Sequence, residues 1–314
     1  MLDPKPWKPD AVVRLLVSVF ICIFAGSLMM GVVHFARHGS KGGLKFYPIV
    51  VVAFGFLAAT LVLIRRRWTL DNFMRRMTAL LVCFYAGLFL GMWAQELAWP
   101  VRPDVPTSGQ MLVTVLSFQG AAIFFIALFL REHQVSWGEG FGFHHEPMKA
   151  LLLGILAASL FLPLGWRLQT ASADWIQWVS WHLHSALPNL PLKVQEQLPV
   201  QTLRSASSWA ARIALGVVTI FLVPVAEEIL FRGIIYPWIK QRGYPRLALV
   251  GTSVLFAAMH LNLVTFIPLF ALAVVLTFLY EWTNNLLAPI TAHALFNGLN
   301  FAVLFLVERT PLGK

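Results

Sequence analysis

The chain has 314 residues, of which 58% are hydrophobic and 12% are charged. Soluble proteins are about half apolar and about a quarter charged, so this composition excludes a soluble enzyme and favours a membrane protein. Both cysteines, Cys22 and Cys83, lie within apolar runs, which excludes a secreted domain built on disulfide bonds. The net charge of +10 would suit a nucleic-acid-binding protein. The basic residues cluster between apolar runs, however, so we expect them to face an anionic membrane surface and not nucleic acid.

Apolar stretches long enough to cross a bilayer recur along the chain. Because a transmembrane helix needs about 20 residues, the sequence predicts an all-α polytopic membrane bundle of about eight or nine transmembrane helices. The stretches lie at about 11–33, 46–64, 77–97, 111–130, 149–164, 210–238, 246–260, 264–280 and 286–307. A short basic segment precedes the first stretch, as in a signal peptide, but the length of that stretch and the spans after it indicate an anchor.

Arginines between the second and third predicted spans orient the chain. They are Arg65, Arg66, Arg67, Arg75 and Arg76. Since basic loops stay in the cytoplasm, this loop and the N-terminus are expected there, in a multi-pass protein of a bacterial inner membrane. The turn with Lys240 and Arg242 agrees with this orientation, whereas the basic residues that follow span five do not.

A polar interval from about Gly165 to Ser208 separates the fifth and sixth predicted spans. It contains Trp166, Trp175, Trp178 and Trp181 at near-helical spacing. Because tryptophan prefers the headgroup layer, the spacing predicts an interfacial helix in preference to a substrate groove. His182 and His184 could bind a metal, but alternate residues on a helix point apart and no suitably spaced carboxylate accompanies them.

The informative residues are the ionisable ones inside the C-terminal spans, because a charge in a span is costly and faces a cavity or a partner. The run from Pro224 to Gly233 contains Glu227, Glu228 and Arg232. Glu228 and Arg232 are four residues apart and share a helix face, so they can form an ion pair. Glu227 is rotated by about 100° from Glu228, away from that partner, and a carboxylate in a low-dielectric site suits a general base. The alternative interpretation is a charge cluster at a helix end.

Two further polar elements follow on later spans. The Phe256 to His260 segment places an imidazole at the end of an apolar helix, and His293 and Asn297 share one face of the last span. Isolated histidines in a membrane are more often packing residues than catalysts. Three spans that each supply a polar element within about 70 residues nevertheless favour a catalytic site.

This ordered set of motifs resembles the CPBP (Abi) family, which comprises CAAX prenyl endopeptidases and bacteriocin-processing or self-immunity proteins. The resemblance covers roughly Ser205 to Leu306. It implies an all-helical fold and a glutamic-type intramembrane endopeptidase that cleaves peptide bonds in a cavity open to the membrane and the cytosol. The resemblance also implies roles for six residues: Glu227 and His260 activate water, His293 and Asn297 stabilise the oxyanion, and Glu228 with Arg232 shapes the site.

The chemistry of these residues agrees with the resemblance, because amide hydrolysis needs a base for water and donors aimed at the oxyanion. No covalent nucleophile is expected, since Thr252 and Ser253 lack a nucleophile-elbow sequence. No metal site or cofactor is predicted. A zinc alternative would use Glu227, His260 and His293, but the His-Glu-x-x-His spacing of many zinc proteases is missing.

We therefore divide the chain into three segments: a membrane-spanning scaffold at 1–145, span five with the Trp-rich segment at 146–204, and a catalytic membrane core at 205–314. The expected partners are the lipid bilayer and a membrane-associated protein or peptide substrate. A non-proteolytic membrane protein, either an ion-coupled transporter or an immunity or scaffold pseudoenzyme, is the alternative. Transporters tend to show related halves and broken helices, and a pseudoenzyme usually lacks a catalytic group, so neither pattern fits this sequence as well.

Overall fold

The computed structural model describes residues 2–38, 69, 71, 105–183, 194–206 and 208–309. Every regular element within these ranges is a helix, which confirms the predicted all-α fold. In chain order they are α1 (Pro9–His38), α2 (Ser108–His133), α3 (Trp137–Phe141), α4 (Pro147–Leu183), α5 (Leu198–Ser205), α6 (Trp209–Lys240), α7 (Pro245–Ala258), α8 (Leu263–Thr283) and α9 (Leu287–Arg309).

Five helices in the described part of the chain are long and apolar enough to cross a membrane, namely α2, α4, α6, α8 and α9. The protein is therefore a multi-pass integral membrane protein. The first predicted span lies within the 30-residue helix α1, and α7 is a shorter apolar helix of 14 residues. The predicted spans at 46–64 and 77–97 lie outside the described residues, so the total of eight or nine stays a prediction.

Helix α4 differs from its prediction. The sequence indicates a span that ends near Leu164 and a separate interfacial helix beyond it, whereas α4 continues unbroken for 37 residues to Leu183 and includes Pro163. The change from apolar to polar composition at residue 165 marks a change of surroundings and does not interrupt the backbone hydrogen bonds, because Arg, Gln, Ala and Trp all tolerate a helix. The exposed side chains of Trp175, Trp178 and Trp181 therefore belong to the C-terminal part of α4. His184 lies outside the described residues.

The described residues form two compact units. The first comprises the described residues within Met1–Lys5, Val135–Gln201 and Gly216–Lys314, and the second those within Pro6–Gln134 and Thr202–Leu215. All six residues singled out in the C-terminal spans lie in the first unit. The division into segments 1–145, 146–204 and 205–314 stays a prediction about function.

Within the first unit, about half of the residues of α8 are buried. Its residues Leu272, Ala273 and Leu276 are inaccessible or nearly so, and α4, α7 and α9 pack around it. Gly154 allows α4 to approach α9 closely, since a Cβ atom at this position would lie 2.5 Å from the carbonyl oxygen of Ala288. This close packing holds α9, which carries His293 and Asn297, against the rest of the unit.

Candidate active site

Helix α6 departs from regular α-helical geometry on both sides of the glutamate pair. The α-helical segment Val223–Glu228 lies between two π-helical segments, Val218–Leu222 and Ile229–Ile235. Short π-helical segments inside α-helices are frequent at functional sites. The sequence predicts one continuous apolar helix here, and neither π-helical segment was foreseen. Pro224 was the available signal, because proline has no N–H to continue the ladder of hydrogen bonds.

Glu228 accepts hydrogen bonds from two cationic or potentially cationic side chains. Arg232 donates from Nη1 to Oε1 of Glu228 over 2.8 Å, and Nδ1 of His293 donates to the same oxygen over 2.8 Å. All three residues are buried, with 0 to 2% of their surface exposed. The i,i+4 pair expected from the sequence is therefore present, and the structure adds His293 from α9 to it.

Arg232 also connects α6 to its neighbours. Its Nη2 donates to the carbonyl oxygen of Ala273 over 3.0 Å, and its Nε lies 3.5 Å from the Thr277 hydroxyl oxygen, both on α8. The guanidinium carbon lies 4.6 Å from the centroid of the Phe256 ring on α7. A buried guanidinium needs this many acceptors, because it keeps its proton and carries five N–H groups. Sequence reasoning had no signal for the Ala273 carbonyl or for Thr277.

Phe256 lies between the two histidines of the site. Its ring centroid is 5.1 Å from that of His260 and 5.7 Å from that of His293. The Phe256 carbonyl lies 2.8 Å from Nδ1 of His260. Because a carbonyl oxygen can only accept, Nδ1 of His260 carries a hydrogen and, in the neutral ring, Nε2 is left with a lone pair. The Phe-x-x-x-His spacing therefore fixes the tautomer of the histidine.

His260 lies two residues beyond the end of α7, in the turn that leads to α8, and is half-buried. The sequence placed it at the end of the helix itself. Glu227, next to the buried Glu228, is 6% exposed. The Phe256 ring therefore links His260 to His293 of the Glu228–Arg232–His293 cluster, and Glu227 precedes Glu228 directly on α6.

Asn297 bonds to the backbone of α6. Its Nδ2 donates to the carbonyl oxygen of Thr219 over 3.0 Å. The Val223 N–H donates to Val218, five residues back, and Pro224 has no N–H for the next such bond. The Thr219 carbonyl therefore lacks a donor from this part of the helix, and the side chain of Asn297 supplies it. Asn297 thus has a structural partner in addition to the role implied by the family resemblance.

A metal site would need several donor side chains close together. Within the described ranges, no group of three or more His, Cys, Asp and Glu side chains lies close enough to hold a metal ion. Of the residues in the zinc alternative, Glu227, His260 and His293, the histidine of α9 bonds through Nδ1 to Glu228. Independence from metals stays a prediction about activity.

Part of the chain is similar to known proteins. The family model of the type II CAAX prenyl endopeptidase Rce1-like proteins matches residues 208–299, which are 92 of the 314 residues. The chain is also similar to the Uncharacterized protein YpbD of Bacillus subtilis (strain 168), with 35% identity over 82 residues. That match covers 25% of this chain and 39% of the length of the relative. No solved structure matches the chain.

All six candidate side chains lie within the matched segment. The order of motifs along the sequence predicted a resemblance to the CAAX endopeptidase family, and the match confirms it over residues 208–299.

Proposed function

We propose that this protein is an intramembrane endopeptidase that hydrolyses a peptide bond of a membrane-associated protein or peptide. The observation that carries the proposal is the buried cluster of Glu228, Arg232 and His293, inside the segment that matches the CAAX endopeptidases. Glu227 precedes this cluster on α6, and the Phe256 ring links His260 to it. A buried charge cluster in a transmembrane helix is costly and is a functional site by default.

The depth of these residues supports cleavage within the membrane. Glu227 lies 13 residues before the end of α6 at Lys240, which at about 1.5 Å per residue is roughly 20 Å from that end. Helix α7 has 14 residues and is about 21 Å long, which is less than the roughly 30 Å of a hydrocarbon core. With the basic turn between α6 and α7 at one membrane surface, Glu227 and His260 both lie inside the bilayer.

Glu227 and His260 are the proposed water-activating pair. The lone pair on Nε2 of His260 can accept a hydrogen bond from a water molecule, and the Glu227 carboxylate can take its proton. A positioned base of this kind contributes about 10²- to 10⁴-fold to a rate.

His293 and Asn297 are the proposed oxyanion-stabilising groups. With Nδ1 of His293 bonded to Glu228, the opposite nitrogen, Nε2, is the one left for a substrate. As an imidazolium the ring donates from Nε2 to an oxyanion. Asn297 uses one N–H for the Thr219 carbonyl and keeps the second for a substrate.

The test is cleavage of a farnesylated, fluorescence-quenched peptide with a CAAX terminus by the purified protein in liposomes. Mass spectrometry of membranes from expressing cells would detect new termini on other substrates. Glu227→Gln preserves the shape of the side chain and removes the base, so it should lower the rate at least about 100-fold. The matched control is Glu146→Gln, which changes an exposed carboxylate paired with Lys149. Near-wild-type cleavage by Glu227→Gln would contradict the mechanism, and no new termini in either assay would favour a non-proteolytic role.

A further inference from the structure

The turn that contains His260 is held by contacts from outside helix α7. Residues 259–262 connect α7 to α8, and the last backbone bonds of α7 run from His260 to Ala257 over 3.2 Å and from Leu261 to Ala258 over 3.0 Å. Leu261 has a φ of 49°, in the left-handed region that bulky residues rarely adopt. Such a conformation persists only where the surrounding structure enforces it. The backbone beside His260 is therefore held by contacts beyond the α7 helix.

Asn262 provides these contacts with both ends of its carboxamide. Its Oδ1 accepts from the backbone N–H of Thr265 over 3.1 Å and so caps the N-terminus of α8. Its Nδ2 donates to the carbonyl oxygen of Gln195 over 3.0 Å. One side chain thus joins the start of α8 to a segment 67 residues earlier in the chain.

The earlier segment makes a second bond to the same place. The side-chain Nε2 of Gln197 donates to the Thr265 hydroxyl oxygen over 2.9 Å. Residues 194–197 therefore lie against the start of α8 through two hydrogen bonds. The backbone carbonyl of Gln195 accepts one of them, and the side chain of Gln197 donates the other. We call residues 194–197 the clasp.

We propose that Asn262 is a positioning residue, which holds the turn against the clasp so that His260 presents Nε2 to the active site. This inference rests on the proposed endopeptidase function. The bond from Nδ1 to the Phe256 carbonyl fixes the orientation of the imidazole ring, whereas Asn262 fixes the backbone two residues away. Both are needed, because a displacement of about 1 Å at a catalytic group can cost about 100-fold in rate.

A purely structural role as a helix cap makes a different prediction for three substitutions. Asn262→Ser and Asn262→Asp keep an oxygen that caps α8 and remove Nδ2, the atom that donates to Gln195. Aspartate has no donor at this position, and the serine hydroxyl lies one bond closer to the backbone, out of place for the Gln195 carbonyl. Asn262→Ala removes both functions. If Asn262 acts only as a cap, the serine and aspartate variants behave like the wild type and only the alanine variant loses stability.

The experiment measures kcat, KM and melting temperature in liposomes for the full chain, with the farnesylated CAAX peptide as substrate. It also records the ring nitrogen signals of His260 in ¹⁵N-histidine-labelled protein in nanodiscs, assigned with His260→Gln. We expect Asn262→Ser to lower kcat about 10- to 100-fold with KM changed less than about twofold, and to shift the His260 signals. Gln197→Ala should have a smaller effect in the same direction. The matched control is Asn300→Ser, which changes an asparagine of α9 bonded to Trp166.

An unchanged kcat and unchanged His260 signals in both Asn262→Ser and Asn262→Asp would overturn the proposal. The nitrogen signals also separate this proposal from the proposed function. If the wild-type protein cleaves nothing while Asn262→Ser still shifts the His260 signals, the endopeptidase assignment fails and the positioning of the ring by Asn262 is supported.

Discussion

His293 and Arg232 bond to the same atom, Oε1 of Glu228, each over 2.8 Å. The arginine lies four residues after the glutamate on α6, and the histidine is 65 residues away on α9. Glu228 therefore has a structural role, because it joins α6 to α9. Its neighbour Glu227 is the carboxylate proposed as the general base. This division of the two glutamates leads to separate predictions for stability and for activity.

The ion pair should control stability. Arg232→Met leaves the Glu228 charge buried without its arginine and should cost about 3 to 5 kcal/mol, seen as a lower melting temperature in a single detergent. The double variant Glu228→Gln with Arg232→Met removes both charges, and the glutamine can still accept from His293. It should therefore melt at a higher temperature than the Arg232→Met variant. The Glu228→Gln single variant completes the comparison. If the melting temperature of the double variant falls by the sum of the losses in the two single variants, Glu228 and Arg232 are not partners.

The two ring nitrogens of His293 should have separate roles, with Nδ1 bonded to Glu228 for stability and Nε2 free to bind the oxyanion. His293→Asn keeps a donor close to the position of Nδ1 and removes Nε2. We expect this variant to retain most of its stability and to lose cleavage. His293→Leu removes the donor to Glu228 as well, so its melting temperature should be lower than that of the asparagine variant. Equal cleavage by His293→Asn and the wild type would rule out the oxyanion role of Nε2.

The bond between Asn297 and Thr219 predicts a second-site suppressor. Asn297→Leu leaves the Thr219 carbonyl without its side-chain donor, which should cost about 1 to 3 kcal/mol. Pro224→Ala supplies an N–H five residues after Thr219, in the register that Val223 already uses toward Val218. The double variant should therefore regain part of the lost melting temperature. Additive losses in the double variant would show that Pro224 does not cause the missing donor.

Gly154 should tolerate no side chain. A methyl group there would lie 2.5 Å from the Ala288 carbonyl oxygen, so Gly154→Ala must push α4 away from α9. We expect a lower melting temperature and weaker cleavage, because α9 carries His293 and Asn297. Gly251→Ala is the matched control. A Cβ atom at that position comes within 3.5 Å of only the flexible Leu247 side chain, and alanine is the better helix former.

Cleavage should continue after treatment with a chelator. The proposed mechanism assigns the imidazoles to proton transfer and oxyanion binding, and the metal content of the purified protein can be measured alongside its activity. Activity lost on chelation and restored by stoichiometric zinc would move the assignment to a metalloprotease.

The membrane setting, the all-α fold and the pairing of Glu228 with Arg232 could be predicted from the amino-acid sequence alone. The composition shows that the chain folds in a membrane and not in water, because so many apolar residues cannot all be buried inside a soluble domain of this size. The i,i+4 pairing follows from helix geometry alone, since both residues lie on one helix. The ordered motifs on three spans also indicated the family that residues 208–299 match.

The distant groups that contact those residues could be identified only once the packing of the helices was known. The contact of His293 with Glu228 and that of Asn297 with Thr219 depend on how α9 packs against α6, and helical periodicity carries no information on this. The π-helical segments of α6 and the single helix formed by residues 147–183 were missed for related reasons. A proline in the sequence shows that one N–H donor is missing, but it does not show which carbonyl oxygen is left without that donor. A change from apolar to polar composition does not by itself end a hydrogen-bonded helix.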